Sequence, residues 1–229
     1  MVLPEYLVCF DTETTGVDVE KDRVVTAFVG VMDRELNWVE HGSWLINPGV
    51  PIPEEASNVH GITTEHAVQN GAEPDTEIQA MARYIERVVV QYNAPLVIYN
   101  SPFDLTLLDR ELKRNNLPTL DLVGVNVVDP LVFDKATDKY RKGSRKLVDT
   151  AAHYGVTVED NAHDAGADCL MTGGVAWKLL GKATKTLAEL HELQVGWKAE
   201  QSASFQEYLR RTKDPEAVID GSWPYKKED

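Results

Sequence analysis

Three short stretches of the chain carry residue types that could do chemistry together. The first is Asp11-Thr12-Glu13, which follows the apolar run Tyr6 to Phe10. That run reads as a buried strand, and side chains alternate along a strand, so Asp11 and Glu13 face the same way. Two carboxylates fixed side by side repel each other, which raises the pKa of one of them, and divalent cations relieve that repulsion. The same residues also suit a solvated strand end leading into the turn Thr14-Thr15-Gly16. The second stretch is Tyr99-Asn100-Ser101-Pro102-Phe103-Asp104. Ser101 followed by proline predicts an N-cap and a first helical residue, with Asp104 third in the helix. A carboxylate there suits the positive end of the helix dipole, so Asp104 reads either as part of a capping arrangement or as a ligand. Asn100 would end a strand beside the first, within reach of a substrate. The third stretch is His163-Asp164-Ala165-Gly166-Ala167-Asp168. Its small residues let a helix approach a sheet closely, with His163 before the helix and Asp168 in its second turn. An exposed histidine ahead of an acid-capped helix fits the same pattern.

The elements that must position these residues follow from hydrophobic periodicity. Val24 to Met32 and Trp38 to Ile46 read as two strands of a hairpin about the turn Asp33-Arg34-Glu35. Residues 47–53 hold three prolines and a glycine and read as a loop. Ile78, Met81, Ala82, Ile85, Val88 and Val89 have helical spacing within Glu77 to Gln91. Leu96 to Tyr99 and Val125 to Val128 are strand-like. Helices are expected from Ser101 to Asn115, Ser144 to Tyr154, Asp164 to Leu180 and Thr186 to Arg211, the last interrupted by Gly196. The polar tail from Asp214 is expected to be poorly ordered. The alternation is that of an α/β protein with an antiparallel hairpin in an otherwise parallel sheet.

Composition sets further bounds. The 229 residues suffice for one substantial core plus an appendage. No apolar run approaches the ~20 residues that span a bilayer, and Met1-Val2-Leu3-Pro4-Glu5 lacks the basic region of a signal peptide. Cys9 and Cys169 are too few for a disulfide framework and sit among apolar or small residues, as buried thiols do. These features point to a reducing, cytoplasmic setting with no membrane partner. The net charge of −14 opposes tight, nonspecific duplex binding. It does not oppose a small carboxylate site that turns attractive to phosphate once metal ions are in place.

Each stretch has a bland reading, but their order and spacing together are distinctive. Asp-x-Glu, then Asn-x-x-Phe-Asp about ninety residues on, then His-x-Ala-x-x-Asp about sixty further, resembles the DEDDh 3′–5′ exonucleases. Within that family the likeness is to the epsilon-type proofreading subunits of bacterial DNA polymerase III. Asp11-Thr12-Glu13-Thr14-Thr15-Gly16 is similar to the family's first motif, and Val59-His60-Gly61-Ile62-Thr63 to a signature between the first and second. The resemblance spans roughly residues 5–182. It implies a ribonuclease H-like mixed five-stranded sheet with helices on both faces, in an exonuclease domain of residues 1–182. Residues 183–229 would form a C-terminal helical extension and polar tail. It further implies that Asp11, Glu13, Asp104 and Asp168 hold two Mg²⁺ ions, or Mn²⁺, and that His163 is the general base. Thr14, Glu55, His60 and Asn100 would contact the terminal nucleotide, and Asp129 would support the site. The implied reaction is two-metal-ion release of nucleoside monophosphates from a DNA 3′ end, single-stranded or frayed. His163, with an ordinary pKa of about 6.5, would take the proton from the attacking water.

Tyr99 departs from the family pattern, which commonly has histidine there. The likeness to epsilon fades after Leu180, and no clamp-binding or polymerase-binding segment is evident in the last helix. A free-standing enzyme of bacterial or bacteriophage type fits better than a polymerase subunit, although a polymerase or replication partner stays open. Lys135, Lys139, Arg141, Lys142, Arg145 and Lys146 form a basic stretch that reads either as a solvated loop or as a contact surface for a nucleic-acid backbone. An exoribonuclease of the same subclass and a catalytically silent nucleic-acid-binding module are the competing readings. The intact set of four acids and His163 opposes the second.

Overall fold

The computed structural model describes residues 2–157 and 164–226. Its centre is a five-stranded mixed sheet in the order β3-β2-β1-β4-β5. Strands β1 (Leu7–Thr14), β2 (Val24–Met32) and β3 (Trp38–Leu45) form an antiparallel meander. The two-residue strands β4 (Leu96–Val97) and β5 (Val127–Val128) continue it in parallel from β1. The expected hairpin and the parallel remainder are both present. The β1–β2 register shifts between Glu13 and Thr14. A bulge there bends the strand just where its chemistry-bearing residues lie.

Alternation along β1 assigns its residues to two cores. Val8 and Phe10 join Ile78, Met81, Ile85, Leu107 and Leu108, beneath helices α3 (Pro74–Gln91) and α4 (Ser101–Arg114). Leu7 and Cys9 join the opposite core with Met171, Val175 and Leu179 of α7 (Ala165–Leu180). Both sheet faces are therefore covered. Asp11 and Glu13 continue the parity of Leu7 and Cys9 and point toward α7. Helix α7 lies close because of its glycines. A Cβ on Gly173 would come within 2.5 Å of Met32 Sδ and 2.9 Å of Cys9 Sγ. Cys9 and Cys169 are both buried free thiols, as their neighbours in the sequence suggested.

Three helices were not foreseen. Helices α1 (Glu54–His60) and α2 (Thr64–Asn70) follow the proline-rich loop, and α5 (Pro130–Thr137) follows β5 directly. They are short, and α1 buries none of its residues, so hydrophobic periodicity had nothing to register. Helix α6 (Leu147–His153) is shorter than expected. Helix α8 (Leu187–Thr212) runs unbroken past Gly196, which faces open space, and starts with a capping box of Thr186 and Glu189.

The tail corrects a prediction. Residues 214–226 pack back onto the body, with Trp223 only 6% exposed in the α3–α4 core. The Ser101 hydroxyl donates to the Pro224 carbonyl (3.1 Å), and the Lys226 N–H donates to Thr106 Oγ1 (2.9 Å). The polar composition that suggested disorder hid one large aromatic residue with a core position to fill.

Helix α8 also covers the exposed edge of β5. The Val127 N–H donates to His191 Nδ1 (2.9 Å), Gln194 Nε2 donates to the Val127 carbonyl (3.0 Å), and the Asp129 N–H donates to Gln194 Oε1 (2.7 Å). An open sheet edge is thus closed by side chains of a helix. Replacing Gln194 with Ala would leave two buried backbone groups unpaired, at about 1–3 kcal/mol each. We expect Gln194→Ala to lower the denaturant midpoint by a corresponding amount without changing the m-value, as read by chemical unfolding. An unchanged midpoint would show that water replaces the amide.

Candidate active site

The site forms where the end of β1 meets the N-termini of two helices. Asp11 and Glu13 extend from β1, and Asp168 lies in the first turn of α7. Carboxylate oxygens of these three residues lie within 4.8 Å of one another. Asp168 falls in the first turn and not the expected second, because α7 begins one residue later, at Ala165, and the Asp164 side chain caps it by accepting from the Gly166 N–H (2.8 Å). Asp104 lies in the first turn of α4 and is 4% exposed. The Thr12 hydroxyl, which points away from Asp11 and Glu13 along the strand, donates to Asp104 Oδ1 (2.7 Å). Sequence reasoning assigned no role to Thr12, although alternation alone places it on the α4 side.

Asp104 is the fourth helical residue, not the third, because Ser101 is helical and Asn100 is the N-cap, in the left-handed region at φ +67°. Asn100 makes no side-chain cap. The orphan N–H groups of this turn instead go to Asp129, whose Oδ1 accepts from Asn100 N–H (3.0 Å) and whose Oδ2 accepts from Ser101 N–H (2.9 Å). Asp129 Oδ1 also accepts from the Leu131 N–H and caps α5. One fully buried carboxylate thus fixes the turn that presents Asn100 and Asp104, and Gln194 of α8 fixes that carboxylate's own backbone.

Electrostatics at the site have one sign. Burial, then the charges of Asp104, Asp168 and Glu13, hold the Asp11 carboxyl well above the usual carboxylate range. Burial and the charge of Asp168, with Asp104 and Asp164 behind it, push Glu13 up to about 8. Burial likewise raises Asp104, to about 7, against the opposing Thr12 hydrogen bond. A set of carboxylate oxygens so placed suits hard divalent cations, which take oxygen ligands and neutralise the charge that the fold has concentrated.

The other predicted residues lie at the rim or beyond it. Thr14 is half-buried and its hydroxyl donates to the Gly16 carbonyl (2.6 Å), closing the turn after β1. His60 ends α1, and its Nδ1 accepts from the Ile62 N–H (3.1 Å). Its Nε2 is buried without a well-formed hydrogen bond among the described residues, and burial lowers the ring's pKa against the opposing Thr14 backbone. Glu55 is exposed in the first turn of α1. His163 lies outside the described residues. Tyr99 donates to the Arg145 carbonyl (2.6 Å), a bond that ties the basic stretch to the strand end beside Asn100.

A mixed sheet with this crossover order and carboxylates at the end of its first strand is of the ribonuclease H-like class. Residues 8–176 match the family model RNase_T, described as exonuclease. The chain belongs to this family, that of the DEDD-type 3′–5′ exonucleases, and is an exonuclease, a phosphodiester hydrolase. It is 31% identical over 173 residues to the uncharacterized exonuclease CP81 of Escherichia phage 186, an alignment covering 72% of this chain and 83% of that one. It is 29% identical over 182 residues to the PolC-type DNA polymerase III of Lacticaseibacillus paracasei, covering 79% of this chain and 12% of the polymerase. Exonuclease I of E. coli shares the fold, with a TM-score of 0.63 and 20% identity, over 88% of this chain and 45% of that one. The chain therefore spans less than half the length of Exonuclease I and a small part of PolC. Among the described residues, no helix is long and apolar enough to cross a membrane.

The raised carboxyl pKa values make stability depend on pH with a definite sign. A group whose pKa is higher folded than unfolded favours the fold below its unfolded value, near 4 for these side chains, and loses that contribution as pH rises through the folded value. The cation-free protein should therefore lose melting temperature between about pH 4 and about pH 8, where Glu13 titrates. Mg²⁺ should raise the melting temperature more at pH 8 than at pH 5. Asp11→Asn should raise the melting temperature in EDTA at pH 8 and shrink the Mg²⁺ response. Thermal melts across pH, with Mg²⁺ or EDTA, measure all three, and a Mg²⁺ response that is absent or largest at pH 5 would contradict the electrostatics.

Proposed function

We propose that this exonuclease releases nucleoside monophosphates from the 3′ end of DNA, single-stranded or frayed, using two Mg²⁺ ions. The observation that carries the reading is the convergence of Asp11, Glu13 and Asp168, with buried Asp104 adding its charge from α4. In this reading all four are the metal ligands, and Mn²⁺, which also takes oxygen ligands, would serve in place of Mg²⁺. The ions would supply an acidified water and charge neutralisation at the attacking and leaving oxygens. In this reading His163 accepts the proton of the attacking water, since it precedes the helix that carries Asp168 and histidine is the side chain whose ordinary pKa suits such a base near neutral pH. Thr14, at the end of β1, and Asn100, the N-cap of α4, line the pocket for the terminal nucleotide. His60 and Glu55 of α1 close it from the side.

DNA is favoured as the polymer because the relatives point that way. PolC is a DNA polymerase by name, and the E. coli Exonuclease I structure is of a complex with a dA16 oligonucleotide. The phage 186 exonuclease, most of whose length this chain matches, favours an enzyme that acts without a polymerase subunit. Residues 1–182 form the exonuclease domain in this reading, and 183–229 an extension that steadies it.

Oligonucleotides labelled at either end, DNA and RNA, incubated with Mg²⁺ or EDTA, test the proposal. Stepwise shortening of 5′-labelled DNA in Mg²⁺ and none in EDTA is expected. We expect Asp11→Ala to lose nearly all activity and His163→Ala to lose about 10²–10⁴-fold, the usual contribution of a general base. A fully active His163→Ala protein would refute the base assignment, and faster shortening of RNA would reassign the substrate.

A further inference from the structure

A groove of about 610 Å³ runs between the basic stretch and helix α8. One wall carries Lys135, Lys139, Arg141 and Arg145, and the other carries Phe205 and Tyr208. Glu200 is the acid among its lining residues. Arg141 and Arg145 both pair with the buried Asp134, and Arg141 also approaches Asp138 (3.9 Å), so these acids hold the wall in place and offset part of its positive charge. The groove is a positive patch on a chain of net charge −14. Burial, and behind it the neighbouring Lys198 charge, pull the Lys135 ammonium below its ordinary value.

The aromatic wall is unusual in being open to solvent. Phe205 is 51% exposed and Tyr208 46%, and their rings stack at 6.4 Å with only 13° between planes. They occupy positions three apart on one helix, so they lie side by side on one face of it. The two walls are locked together, because Gln201 Nε2 donates to the Val132 carbonyl (2.9 Å) and Trp197 packs on Phe133 at 5.6 Å. Two interactions link the groove's lining to the turn that carries Asn100. Arg145 accepts the Tyr99 hydroxyl bond next to Asn100, and Lys135 feels the charge of Asp129, which holds the Asn100 N–H.

We infer that this groove binds the single-stranded DNA upstream of the 3′ end, with backbone phosphates along the lysine wall and bases stacked on Phe205 and Tyr208. Cations that track a backbone beside exposed rings that accept any base are what sequence-independent single-strand binding requires. The substrate class rests on the proposed nuclease reading. The groove itself stands on the charge and aromatic geometry of α5, the loop after it and α8. It would let the enzyme hold a strand independently of the metals at the cleavage site.

Fluorescence anisotropy of 5′-labelled dT4 and dT30 in EDTA tests this, because EDTA removes the metal contribution at the carboxylates and prevents cleavage. The wild type should bind dT30 more tightly than dT4, with affinity falling as salt rises. Phe205→Ala and Tyr208→Ala should each weaken dT30 binding at least about fivefold, from loss of one stacked base. Lys139→Glu should weaken it and flatten the salt dependence. All three positions are exposed, and circular dichroism checks their folding. Unchanged dT30 affinity in the three variants would overturn the groove, as would an equal loss for a sulfated polysaccharide in the aromatic variants, which would mean that no base is stacked. Loss of dT30 affinity in the variants of an enzyme that cuts no oligonucleotide in Mg²⁺ would support the groove and contradict the nuclease reading.

Discussion

Mutual repulsion among clustered, partly buried carboxylates is the constraint on which the rest of this structure depends. Asp11, Glu13, Asp104 and Asp168 come from three separate elements, and each meets negative charge and partial burial. Nothing local would hold them together. The energy comes from two apolar cores, one on each face of the sheet, which fix the backbone however unfavourable the charges are. Gly173 brings α7 close enough for Asp168 to reach β1, and Thr12 turns Asp104 inward by a hydrogen bond. Destabilisation of this kind is a familiar companion of function, because groups arranged for a ligand are strained without it.

The α4 side of the site is held from further away. Gln194 on α8 binds the backbone of Asp129, the Asp129 carboxylate binds the backbone of Asn100 and Ser101, and those residues start the helix that carries Asp104. Pro224 and Lys226 of the tail grip the same helix through Ser101 and Thr106. The C-terminal segment is therefore more than an attachment to a finished domain. It closes the β5 edge, steadies α4 and supplies one wall of the basic groove.

Much of this was legible in the sequence where a residue's role is set by near neighbours. Val24 to Met32 was read to the residue because an unbroken apolar run has one use in such a sheet. Asp11 and Glu13 were assigned to one face by alternation alone, and the order of the three acidic stretches identified the family. Roles set by distant partners were not legible. No pattern around Thr12 announces an acceptor ninety-two residues away, and none around Gln194 announces a strand edge. The first helical residues of α4 and α7 were each displaced slightly, since a buried carboxylate caps one turn from afar and Asp164 caps the other. Trp223 was lost in a polar tail because two aromatic residues, it and Tyr225, are too few to show a period. The basic stretch looked uniform in sequence, yet in the structure Lys135, Lys139, Arg141 and Arg145 line the groove, and the two arginines also hold Asp134.

The claim that these carboxylates form one cation-binding centre can be examined by seeing where cations sit. Crystals grown with Mn²⁺ and thymidine 5′-monophosphate, measured at the manganese absorption edge, would locate them by anomalous scattering. Two peaks within coordination distance of Asp11, Glu13, Asp104 and Asp168, bridged by the nucleotide phosphate, are expected. Peaks confined to other surface acids, with the four carboxylates bound to water alone, would contradict the centre on which the proposed chemistry rests.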